Sequence, residues 1–182
     1  ADRDMRRFAY AHRLQMVRAD GKHFRCGPRR RRRVVVTLLD DASRYALGAV
    51  VGTAESAALF LMTLWIVLRR WGLFSSCYLD NGTGFIAHAV ATISSRLGIG
   101  VIHGTKGYAE GHGKIERYHR TLKADLLRSF PGNPEIDDDP AALTLRVNHY
   151  LATVYNRQPH EGLGGETPEA RFLADSMPLR PL

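Results

Sequence analysis

The chain has 182 residues, of which 45% are hydrophobic and 24% charged, and it carries a formal net charge of +8. That is enough chain for one full-sized domain with its own core, in a composition that excludes a disordered or fibrous protein. The surplus of cations points to an anionic partner, nucleic acid first, and the longest apolar run, 12 residues over 57–68, falls short of the about 20 needed to cross a bilayer.

Residues 1–13 read as a basic linker or frayed helix, with no secretory pattern. Residues 14–20 read as a strand ending at Asp20. Residues 21–33 read as a loop, because they hold Gly27-Pro28 and five consecutive arginines, Arg29 to Arg33. The β-branched run 34–39 predicts a buried strand. A turn at Asp40-Asp41-Ala42-Ser43 then leads into a hairpin partner over 44–51. Thr53 is a candidate cap for a helix running to Trp71, with Gly72 just past its end. Its apolar face, Ala57, Phe60, Leu61, Leu64 and 66–68, suits packing on a sheet.

Residues 75–79 predict a short strand that delivers Asp80 to an Asn81-Gly82 turn. Phe85, Ala89, Ile93 and Leu97 then recur at helical spacing, with Gly98 as the stop. Another strand is expected over 99–102, followed by a glycine-rich, mobile loop over 103–113. A third helix is expected over 113–129, ending before Pro131. Asp139-Pro140 reads as the cap and first turn of a fourth helix reaching 156, and Thr167-Pro168 starts a short helix in the tail. Three strands followed by alternating helices and strands predict one α/β sandwich on a mixed sheet, with no internal repeat. Cys26 and Cys77 form no C-x-x-C pair, which fits a reducing, cytoplasmic compartment.

The acids carry the candidate chemistry. Asp80 falls at the carboxyl end of a strand, where α/β folds expose functional groups, or else it is an ordinary turn aspartate. Glu116 lies on the helix face opposite Ile115, Tyr118 and Leu122, with Arg120 and Lys123 following on its own side. That stripe reads either as surface ion pairs or as a metal carboxylate flanked by two phosphate-gripping cations. A metal site wants a third carboxylate, and Asp20, Asp40 and Asp41 are all candidates that periodicity does not separate. His103, His112 and His119 lack the cysteine partners of a zinc finger.

Four segments resemble the integrase core family, which includes retroviral integrases and bacterial insertion-sequence transposases. They are Leu38-Leu39-Asp40-Asp41-Ala42-Ser43-Arg44, Leu79-Asp80-Asn81-Gly82-Thr83-Gly84-Phe85, Gly111-His112-Gly113-Lys114-Ile115-Glu116-Arg117, and Tyr155-Asn156-Arg157-Gln158-Pro159-His160 with Leu163-Gly164-Gly165 and Thr167-Pro168. The resemblance covers about residues 14–173, leaving 174–182 as a tail. It implies a ribonuclease-H-like fold, a five-stranded mixed sheet flanked by helices. It also implies a DDE triad, Asp-Asp-Glu with 35 residues between the last two, the interval that separates Asp80 from Glu116 here. Asp20 matches the position of the family's first aspartate, although the family's Trp-Gln pair before it is absent, and the Asp40-Asp41 pair matches a structural turn. The implied activity is DNA strand cleavage and strand transfer, with two Mg²⁺ or Mn²⁺ ions held by Asp20, Asp80 and Glu116. Arg120, Lys123, Lys114, Lys106 and His112 are the implied DNA contacts. Mobile-element ends and target DNA are the implied partners, handled by a homo-oligomer in the bacterial cytoplasm. An inactive DNA-binding core of the same fold, or a nuclease without joining activity, is the competing expectation.

Overall fold

The computed structural model describes residues 10–79, 84–104 and 109–182, with the side chains of 84–85 and 109–112 left aside. Its strands are β1 (Met16–Cys26), β2 (Arg31–Asp40), β3 (Ala46–Gly52), β4 (Ser76–Leu79) and β5 (Gly100–His103), and its helices are α1 (Ala57–Trp71), α2 (Gly84–Arg96), α3 (Ala109–Asp125), α4 (Pro140–Thr153) and α5 (Pro168–Ala174). The strands form one sheet in the order β3-β2-β1-β4-β5. The first three pair antiparallel as a meander, while β4 and β5 join parallel to β1 and to each other.

Alternation along β2 builds a core on each side of the sheet. Val34, Val36 and Leu38 face a core shared with α1 and α2, and Val35 and Leu39 face one shared with α3 and α4. A strand buried on both faces has to be apolar throughout, which is why 34–39 was legible as a run. The register slips between Leu38 and Leu39, which pair with Gly48 and Ala46 and leave Leu47 without a counterpart. Leu47 therefore turns to the α1 core while Ala46 and Ala49 face the other.

β3 is an edge strand, and α4 and the 3-10 turn after it, Tyr155–Arg157, close it with polar side chains. Thr144 Oγ1 accepts from Val51 N at 2.9 Å. The Asn148 amide bonds both backbone groups of Ala49. Asn156 does the same for the backbone of Ala46, at 2.9 and 3.2 Å. Unpaired edge groups are costly when buried and invite foreign strands when exposed. The Asn of the Tyr155-Asn156 motif is thus a structural tie.

Several boundaries differ from those read off the sequence. Residues 21–33 are not a loop: β1 continues to Cys26 and β2 begins at Arg31, leaving a tight turn around Gly27. Two of the five arginines are held there by Asp138. Arg31 Nε lies 3.3 Å from its carboxylate, and buried Arg33 donates to its carbonyl at 2.8 Å. The cap of α1 is Ser56 rather than Thr53, with Ser56 Oγ accepting from Leu59 N, although the helix ends at Gly72 as expected. The buried face of α2 is Ile86, Val90 and Ser94, one residue on from the expected stripe, and Ile93 is exposed. α3 starts at Ala109, inside the expected loop, and the segment read as its end is a 3-10 turn, Leu127–Ser129. No helix of the described residues is long and apolar enough to cross a membrane.

The C-terminal segment is clasped to the sheet. Phe172 of α5 is fully buried, stacks on Tyr45 at 4.5 Å and meets Trp71 edge-on at 5.0 Å. Arg13 lies over the same ring and donates to the Phe172 carbonyl. Replacing a buried phenylalanine in such a cluster leaves a cavity as well as losing transfer energy. Phe172→Ala is expected to cost about 3–4 kcal/mol, seen in thermal denaturation as a Tm lowered by about 10 °C; a loss under about 1 kcal/mol would show that the clasp contributes little.

Candidate active site

Asp20 sits in the middle of β1, paired in register with Thr37 of β2. The sequence placed it within a strand or at its end. Alternation puts it on the face of the sheet covered by α3 and α4, together with Lys22 and Phe24. Its side chain is 28% exposed, and Oδ1 accepts from Gly21 N at 2.8 Å. One residue back, Ala19 pairs in parallel with Leu79, the last residue of β4. Asp80, with the Asn81-Gly82 turn, lies outside the described residues.

α3 crosses above Asp20. Ile115, Tyr118 and Leu122 anchor it in the core, and the Tyr118 hydroxyl meets Thr37 Oγ1 at 3.0 Å. This packing turns Glu116, Arg120 and Lys123 outward as one exposed stripe, as the sequence spacing predicts. His119, one helical turn after Glu116, points inward instead, with Nδ1 3.8 Å from Asp20 Oδ2. Burial, with the Lys22 ammonium behind it, pushes this imidazole down to about 4, so the ring is neutral at pH 7. Its Nε2 has no hydrogen-bond partner among the described residues. Among the described residues, Asp20 thus has one neutral ring and one backbone N–H beside it.

The other two candidate acids are consumed by the fold. Asp40 and Asp41 are both fully buried. Asp40 accepts from Leu14 N at 2.8 Å, and from Ser43 N at 3.0 Å and Ser43 Oγ at 2.5 Å. Asp41 lies 2.8 Å from Arg18 Nε and 2.8 Å from Lys114 Nζ. Burial raises the Asp41 pKa, but the Lys114 and Arg18 cations outweigh it and leave the carboxyl below its ordinary value. Neither side chain has an oxygen open to a ligand. Lys114, expected at DNA, is thus engaged with Asp41 in this structure. Lys106 and the side chain of His112 lie outside the described residues, which contain no cluster of three potential metal-ligating side chains. His119 entered the sequence reading only as a rejected zinc ligand. Its i+3 spacing from Glu116 was the signal that placed it within a turn of the site.

A β3-β2-β1-β4-β5 sheet with helices on both faces and carboxylates at its α3 side is the ribonuclease-H-like architecture of integrase catalytic cores. No family model matches the chain. The transposase for transposon Tn552 from Staphylococcus aureus is 26% identical over 141 residues, covering 69% of this chain. The chain spans only 29% of that protein's length. Among solved structures, the simian T-cell lymphotropic virus intasome in complex with PP2A regulatory subunit B56 gamma matches with a TM-score of 0.73 at 18% identity, over 96% of this chain and 60% of that one. The catalytic core domain of BIV integrase matches at 0.64 with 21% identity over 88% of this chain and 94% of its own. The HTLV-2 integrase catalytic core domain in complex with magnesium matches at 0.68 with 14% identity over 88% and 97%. The chain is thus similar in sequence to a transposase and in fold to integrase catalytic cores, in line with the resemblance of its four motifs.

Proposed function

We propose that the chain is the catalytic core of a transposase that cleaves DNA strands and joins them, with Asp20, Asp80 and Glu116 as its acidic triad. The observation that carries this reading is the meeting of β1 and α3. A part-exposed Asp20 lies under the helix that carries Glu116, while both alternative aspartates are sealed into a turn. The parallel register of Ala19 with Leu79 supports placing Asp20 and Asp80 on neighbouring strands. The relationship to the Tn552 transposase supports the reaction class. We assign the unit responsible to residues 14–173, with 1–13 and 174–182 as flanking segments.

The proposed donors fit a hard divalent cation: they are carboxylate oxygens, and among the described residues only a neutral imidazole lies beside Asp20. Magnesium or manganese, two ions per site, would supply charge neutralisation at the scissile phosphate and ease deprotonation of the attacking hydroxyl, water for cleavage or a DNA 3′-OH for joining. Gly21 N donates to the Asp20 carboxylate on β1, and the neutral His119 ring packs beside it at 3.8 Å. Glu116 approaches from an anchored helix, and Arg120 and Lys123 on the same stripe receive backbone phosphates of the strand being cut. We extend this DNA track to Lys106 and His112. The partners are mobile-element ends and target DNA, held by a homo-oligomer because two ends have to be handled together.

Calorimetric titration with Mn²⁺ tests the site. The wild-type chain is expected to bind, and Asp80→Asn to weaken binding at least about tenfold. Equal binding by the two proteins would remove Asp80 from the site and leave an inactive DNA-binding core as the better reading.

A further inference from the structure

Where α3 meets the 3-10 turns Tyr155–Arg157 and Glu161–Leu163, a cleft of about 320 Å³ opens, lined by Arg117, Thr121, Tyr155, Gln158, His160 and Glu161. Arg44 stands beside it, with Nη2 near Gly162. The lining is rich in donors and poor in acceptors. Arg117 is exposed and makes no ion pair or side-chain hydrogen bond among the described residues. Arg44 is half-buried, and its hydrogen bonds go to the carbonyls of Asp41 and Ala42 rather than to a carboxylate. His160 Nδ1 accepts from Gly162 N at 3.0 Å, so the neutral ring carries its proton on Nε2 as a donor. Burial, and then Arg44 and Arg117, hold this histidine below its ordinary value and so keep it neutral. Tyr155 is largely buried but lines the cleft, and its hydroxyl bonds no described residue and senses the same two arginines. Glu161, at the exposed rim, is the one carboxylate in the lining.

Two guanidiniums stand here, and the part-desolvated Arg44 shares its nearest carboxylate, Asp41, with Arg18 and Lys114, so a further anion in the space would be favoured. The complement of such a lining is a singly charged group that only accepts hydrogen bonds, which describes a phosphodiester. Arg117 follows Glu116 in sequence, so it projects about 100° round α3 from the Glu116, Arg120 and Lys123 stripe. We propose that this cleft is a second DNA subsite, in which Arg44, Arg117 and His160 receive a backbone phosphate of a strand lying across α3. The subsite rests on the reading that the chain handles DNA, but it uses none of the proposed triad.

The test is fluorescence anisotropy of the full chain with a labelled 30-base-pair duplex across a salt series, for wild type, Arg117→Gln and Glu161→Gln. Both substituted residues are exposed, so the fold is kept. Arg117→Gln is expected to weaken binding about fivefold and to make the salt slope shallower by about one ion. Glu161→Gln is expected to tighten it about twofold to threefold, because it removes the one repelling charge. Unchanged affinity and slope in both variants overturn the subsite while leaving the triad proposal standing, since Mn²⁺ binding reads that separately. A second arm titrates inorganic phosphate and follows the His160 ring resonance by NMR. A shift seen with phosphate, but no effect of either variant on the duplex, assigns the cleft to free anions or an acidic protein segment and overturns the DNA assignment. Failure of the wild-type chain to bind any duplex overturns both proposals.

Discussion

Glu116→Gln is expected to cut strand-transfer activity by at least about a hundredfold, on the order of 3 kcal/mol in the barrier, while leaving the melting temperature of the chain unchanged. The two halves of that expectation come from one helix. α3 is fixed by Ile115, Tyr118 and Leu122, each at most 3% exposed, and by the Tyr118–Thr37 hydrogen bond. Glu116 points the other way and is exposed. An amide of the same shape preserves helix propensity and loses no packing, so no mechanism for instability exists. What the amide lacks is charge. In the proposed site the carboxylate acts as one member of a unit, and groups that act as a unit do not contribute additively: removing one costs nearly as much as removing all. The assay joins a pre-cleaved oligonucleotide end to a target duplex with Mn²⁺. Activity within about threefold of wild type, from a variant that melts normally, would remove Glu116 from the chemistry. Arg120→Gln separates the neighbouring role, because loss of a phosphate contact raises KM and flattens the salt dependence more than it lowers kcat.

The parts of the fold legible in the sequence were those fixed by local chemistry. The β-branched run of β2, Gly72 after α1, Asp139-Pro140 at the start of α4 and Thr167-Pro168 at the start of α5 all lie where a cap, a turn or a propensity decides the conformation. The misread stretches are those decided at a distance. Residues 21–33 look like a loop because arginine and glycine favour no strand, yet Arg31 and Arg33 are held by Asp138, more than a hundred residues further on. What Thr144, Asn148 and Asn156 do becomes visible only once β3 is placed beneath them. The choice among Asp20, Asp40 and Asp41 is of the same kind. All three are aspartates near strands, and only the buried partners of Asp40 and Asp41 distinguish a structural acid from an available one. Motif resemblance favoured Asp20; the packing accounts for Asp40 and Asp41 as structural acids, and the role of Asp20 rests on the proposal.

Asp40→Ala is expected to destabilise the chain by about 4 kcal/mol, because it strands three buried donors that cost about 1–3 kcal/mol each when unsatisfied. One of them, Leu14 N, belongs to a residue held at φ 61, a left-handed conformation that a leucine adopts only under constraint. Leu14 O in turn accepts from Ser75 N, ahead of β4, so the loss propagates along the β1–β4 seam toward Asp20. Urea denaturation measures it, and a cost below about 1.5 kcal/mol would mean that water replaces the carboxylate at this turn. The same group has a pH signature. Burial raises its pKa from 3.8 to about 6, opposed by the Ser43 and Leu14 hydrogen bonds. When protonated, its Oδ2–H donates to Ser43 Oγ across the same 2.5 Å contact. A raised folded pKa means that the stability this group contributes is complete below about pH 3.8 and is lost as pH rises through about 6, on the order of 3 kcal/mol in all. Asp41 runs the other way: its lowered pKa contributes stability above the unfolded value, lost only in stronger acid. The two are separated by the neutral variant Asp40→Asn. The stability difference between wild type and Asp40→Asn is expected to shift against the wild type by about 2.4 kcal/mol between pH 4 and pH 7. A difference that stays constant over that range would show that Asp40 remains ionised throughout, with its three donors outweighing the cost of its burial.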